Sequence, residues 1–94
     1  MNKMLKLRYL NKFKKDYKTI LKRRYNEEKF KEVVGILRSC NPLPEKYKDH
    51  ALTGDYQNYR ECHIEPDWLL VYRIEDDTLT LILFFRTGTH SDIF

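Results

Sequence analysis

A break in hydrophobic periodicity at Asn41-Pro42-Leu43-Pro44 restricts the folds open to this chain more than any other feature. Before it, Leu10, Phe13, Tyr17, Ile20 and Leu21 recur at helical spacing, and Phe30, Val33, Val34 and Leu37 do so again. Each set falls on one face of an amphipathic helix and leaves the intervening lysines to water. The polar Asn26-Glu27-Glu28 separates the stripes, so two helices joined by a short turn are expected, with Asn11 as the candidate cap of the first. The prolines end the second helix, because each lacks an N–H and restricts the residue before it. Met4 to Arg8 reads as a short strand ahead of the first helix.

Beyond the prolines the period becomes two. Tyr59 to Glu65, Trp68 to Glu75 and Thr78 to Thr87 read as strands rich in Tyr, Val, Ile, Leu and Phe. Pro66-Asp67 and Asp76-Asp77 supply the turns of an antiparallel meander. The last strand is apolar on both faces, with Leu79, Leu81, Leu83 and Phe85 on one and Ile82 and Phe84 on the other, which makes it central. At 94 residues the chain amounts to one domain. The expected fold class is α+β, with two N-terminal helices packed on a twisted, mainly antiparallel sheet of about four strands.

Charge is divided as sharply as periodicity. Residues 1 to 40 carry thirteen Lys/Arg against four Asp/Glu, a balance of +9, whereas residues 41 to 94 carry five against ten, a balance of −5. A cationic segment of this kind suits polyanions or an acidic protein, though a solvated helix face explains the charge alone equally well. No apolar run has the length of about 18 residues that a membrane helix needs, and the start lacks a secretory pattern, so a cytoplasmic protein without a membrane partner is expected. Cys40 and Cys62 form no C-x-x-C, and both read as buried thiols.

The residues with chemical reach are His50, His63, Asp67, Arg86 and His90. In a meander the first and third strands run parallel, so His63, Asp67, Arg86 and His90 can converge on one end of the sheet. Such a set lacks a Ser or Cys nucleophile and suits a substrate that brings its own, as RNA does in its 2′-OH. Transesterification needs a base for that proton, an acid for the departing 5′-oxygen and a cation for the phosphorane. Histidine fills either proton-transfer role, and guanidinium forks onto phosphate. Structural readings compete with each assignment: His63 can bond across the sheet, Asp67 can stabilise its turn, Arg86 can pair with Glu65, and Trp68 can belong to the core. Three His and an Asp can also gather zinc, but no H-x-x-x-H or H-E-x-x-H pairing is present, so neither a metal nor another cofactor is expected.

Three ordered motifs sharpen this reading. Asp49-His50-Ala51-Leu52-Thr53-Gly54, then Arg60-Glu61-Cys62-His63-Ile64-Glu65-Pro66-Asp67-Trp68, and finally Arg86-Thr87-Gly88-Thr89-His90 resemble the YafQ branch of the RelE/ParE toxin superfamily. The likeness runs from about residue 42 to residue 94, and the first 40 residues share only the layout of a short strand and a helical hairpin. Tyr56 and Asn58 depart from the tryptophan and glycine frequent in close relatives.

The resemblance implies a type II toxin: a metal-independent endoribonuclease that cuts messenger RNA in the ribosomal decoding site and is restrained by an antitoxin encoded beside it. By motif position, His50, His63, Asp67 and His90 would be the acid/base set and Arg86 the phosphate contact. Phe94, Trp68, Lys48 and Arg60 would help hold substrate. Lys14, Lys15, Lys18 and Lys22 would meet ribosomal RNA or the antitoxin, contacts that position without reading sequence. The free toxin is expected to be a monomer that enters a hetero-oligomer with its antitoxin. Two alternatives are a same-fold toxin that inhibits a protein such as a topoisomerase, and a non-catalytic nucleic-acid-binding module.

Overall fold

The computed structural model describes residues 4–85. Strand β1 (Lys6–Tyr9) leads into helices α1 (Asn11–Lys22) and α2 (Glu27–Arg38). After a 3₁₀ turn at Glu45–Tyr47 come β2 (His50–Ala51), a second 3₁₀ turn at Gly54–Tyr56, and the meander β3 (Arg60–Glu65), β4 (Trp68–Glu75) and β5 (Thr78–Phe85). The sheet order is β1-β5-β4-β3-β2, with β1 parallel to β5 and every other neighbour antiparallel. The α+β class and the central place of the last strand are as the sequence suggests. The strand count is five rather than four, because the loop before the meander contributes β2.

Helix α2 follows its sequence pattern fully: Phe30, Val33, Val34 and Leu37 are all buried. Its N-cap is Asn26, whose side-chain oxygen accepts from the Glu28 N–H at 3.0 Å. In α1 the stripe is narrower than its periodicity indicates. Phe13 and Ile20 are buried, but Leu21, about 100° further round the helix, is exposed. Asn11 is the first helical residue and not the cap, a position taken by Leu10 without a side-chain bond. The Tyr17 hydroxyl donates to Glu27 Oε1 at 2.8 Å and ties the helices together.

Alternation along the strands makes two cores. Cys62, Trp68, Leu70, Tyr72, Leu79, Leu81 and Leu83 pack with the helices, whereas Val71, Ile82 and Phe84 pack with Leu10, Leu52, Tyr56 and Tyr59 on the other face. Each fully buried Leu, Ile or Val contributes roughly 1.5–3 kcal/mol relative to an exposed one. The expectation of two buried thiols holds only for Cys62. Cys40 is exposed, in a left-handed conformation (φ 64) just past the C-cap of α2. Among the described residues no helix is long and apolar enough to cross a membrane.

Candidate active site

The site starts from strand alternation. His50 pairs with Glu61 in the β2–β3 ladder, and Glu61 with Val71 in the β3–β4 ladder. These residues and His63, two further along β3, therefore share the sheet face away from the helices. Lys48, in the left-handed region at φ 50, reverses the chain after the 3₁₀ turn and delivers it to β2. Register is then fixed by two residue pairs, His50 with Glu61 and Ala51 with Arg60.

Glu61 is the centre of this face. It is fully buried, yet Oε1 lies 3.5 Å from His50 Nε2 and 3.7 Å from His63 Nε2. The two imidazole centroids are 6.5 Å apart. His50 Nδ1 is 2.8 Å from the Lys48 carbonyl oxygen and His63 Nδ1 is 3.4 Å from that of Pro66. In the imidazolium form, His50 donates to a carbonyl from one nitrogen and faces a carboxylate with the other. The His50 side chain is 48% exposed and that of His63 17%, so His50 presents the more accessible ring. Beside His63 opens a cleft of about 400 Å³ lined by Lys29, Lys46, Lys48, Glu65 and Pro66 among others.

Several sequence assignments acquire a definite place. Asp67 is exposed in the β3–β4 turn, next in the chain to the carbonyl that His63 faces. Lys48 lines the cleft, while Lys14, Lys15, Lys18 and Lys22 point to solvent from α1. Glu65 is held by Lys29 at 2.7 Å. Arg86, His90 and Phe94 lie outside the described residues, as does the expected end of the last strand at Thr87.

Two residues expected to hold substrate, Trp68 and Arg60, have partners within the fold. Trp68 is fully buried and meets Tyr25 edge-on at 5.1 Å, so its indole serves packing. Arg60 lies one residue from Glu61, which turns it to the opposite face of the strand, and its guanidinium is held by Asp49 through Nε at 3.3 and 3.2 Å and NH2 at 3.0 Å. That bond raises the Arg60 pKa above its ordinary value. Burial, then the bond to Asp49, likewise raises Tyr72, and burial pushes the Cys62 thiol up to about 12, with Asp49 and Glu61 adding to it.

The residue that sequence reasoning missed is Glu61. Its spacing of two from His63 was a usable signal, since positions i and i+2 of a strand share a face. Its burial was not visible, because that depends on the cover provided by neighbouring chain.

Comparison with known proteins completes the picture. Residues 5–94 match the profile of a family described as the bacterial toxin of a type II toxin-antitoxin system, YafQ. The chain belongs to the YafQ family of toxins. It is 40% identical over 89 residues to the mRNA interferase toxin YafQ of Escherichia coli K12, covering 94% of each chain. It also resembles a solved metal-bound toxin from Helicobacter pylori, with a TM-score of 0.82 and 43% identity over 97% of this chain and 100% of that one. A third likeness is to the E. coli DinJ–YafQ toxin–antitoxin complex, with a TM-score of 0.77 and 39% identity over 97% and 98% of the two chains. Within the YafQ family, then, the His50–Glu61–His63 face lies in the part of the chain that carries the motifs.

Proposed function

We propose that this YafQ-family chain is a ribosome-dependent endoribonuclease that cleaves messenger RNA by 2′-OH transesterification without a metal ion, and that an antitoxin holds it inactive. The observation that carries this reading is the pair of imidazoles, His50 and His63, set around one buried carboxylate on the sheet face away from the helices. A carboxylate between two imidazoles orients both rings and balances the charge of whichever carries the proton. Proton uptake and proton delivery thus have adjacent carriers, as the reaction requires.

In this mechanism His50 is a proton-transfer group and His90 the partner acid. His63 and Asp67 complete the acid/base set, Arg86 steadies the charge on the phosphorane, and Phe94 stacks on a base. Strand β5 ends at Phe85 opposite Trp68, beside the turn that carries Asp67. Lys48 places phosphate from the cleft rim. Lys14, Lys15, Lys18 and Lys22 dock the protein on ribosomal RNA, and an acidic antitoxin competes for that charge. The setting is the cytoplasm, where ribosomes are.

The test is cleavage of a translated message by purified protein. His50→Ala and His63→Ala, each checked by circular dichroism for a retained fold, each reduce the cleavage rate on the order of 10²- to 10⁴-fold. Wild-type rates in both variants contradict the assignment.

A further inference from the structure

The alternation that collects His50, Glu61 and His63 on one face of β2 and β3 collects a second group on the other. Asp49, Arg60 and Tyr72 meet there, with the Asp49 carboxylate accepting from the Arg60 guanidinium through two nitrogens and from the Tyr72 hydroxyl. Tyr72 is 1% exposed and sits inside β4, paired with Arg60 on one side and Leu81 on the other. It is therefore a fixed point, bound into the middle of the sheet.

Asp49 stands between two residues that matter to the site. Lys48, before it, supplies the carbonyl that meets His50 Nδ1 at 2.8 Å, and His50 follows it. Strand β2 is only two residues long, so ladder bonds alone hold the His50 backbone weakly against rotation. We propose that Asp49, Arg60 and Tyr72 form a clamp that sets the His50 imidazole toward Glu61, acting as positioning residues for the cleavage reaction. This rests on the proposed role of His50. It also gives Arg60 a task other than holding phosphate: its Nε and Nη2 are engaged by a carboxylate, on the face away from the histidines.

The clamp is tested by Asp49→Ala, Arg60→Ala, the double variant, Tyr72→Phe and Arg60→Lys. Cleavage of a translated message is followed across ribosome concentrations, and the histidine rings of the free protein by long-range ¹H–¹⁵N spectra. Tyr72→Phe keeps the buried ring and guards against misfolding. The expected result is a lower rate at saturation, by up to the order of 10²-fold, with an unchanged half-saturating concentration. The double variant falls no further than either single one, because the pair acts as a unit. Arg60→Lys, which keeps one charged donor, restores part of the rate, and the Nδ1 signal of His50 moves in Asp49→Ala and Tyr72→Phe.

Additive losses overturn the clamp, and so does an Arg60→Ala effect confined to the half-saturating concentration, the mark of a phosphate contact. Ring signals of His50 that match the wild type in every variant also overturn it. A wild-type protein that leaves messages intact overturns the nuclease reading alone, since the spectra of the free protein still decide the clamp.

Discussion

Glu61 shows what a single side chain can add to a sheet face. A buried carboxylate is costly unless charge or hydrogen bonds compensate it, and here two imidazole nitrogens lie within 3.5 and 3.7 Å. The histidines were legible in the sequence because their residue type announces proton chemistry; Glu61 was hidden among fourteen acidic residues. Its neighbour Cys62 gives a residue-scale prediction. The folded thiol has its pKa pushed from 9.0 to about 12, chiefly by burial. Below about pH 9 the thiol is protonated in both states and contributes no pH dependence. As pH rises from 9 toward 12, the unfolded chain releases a proton that the fold retains, so stability declines across that window. Urea midpoints measured at pH 7, 9 and 11 are expected to fall less steeply on the alkaline side in Cys62→Ala than in the wild type. Equal slopes contradict this account of Cys62.

At the scale of elements, the long periodic segments were readable and the short ones were not. The strand β4 runs over the same Trp68–Glu75 that alternation indicates, and α2 buries the four apolar residues of its stripe. Strand β2 has two residues, too few for any period, and exists because β3 offers an edge to pair with. That pairing made five strands of four and put His50 on the ladder. Capping shows the same limit: Asn11 is the cap that the sequence suggests, but it is Asn26 that has extended backbone angles and a bonded side chain at a helix start. Asn26→Ala is therefore expected to cost about 1 kcal/mol, seen as a fall of roughly 4–8 °C in Tm for a domain of this size. Asn11→Ala is expected to leave Tm nearly unchanged, and equal losses in the two variants contradict the assignment of the cap.

For the whole molecule, the sheet divides labour between its faces. One face carries the helices and the greater part of the core; the other carries the histidine pair above a smaller apolar cluster. The basic N-terminal half and the acidic C-terminal half were visible from composition, and so was the α+β layering. Which residues of a motif share the face of the histidines was not, because adjacent motif residues point opposite ways on a strand, and Glu61 was overlooked for that reason. The account stands on the RNA supplying its own nucleophile. The most direct measurement places a ribosome-bound message with a single 2′-deoxynucleotide at the cleaved position beside the all-ribose message, and compares their cutting by the purified protein. Cleavage is expected to vanish with the deoxy substitution, while the ribose message yields a 2′,3′-cyclic or 3′-phosphate end and a 5′-hydroxyl end; cutting of both messages at the same rate would contradict the account.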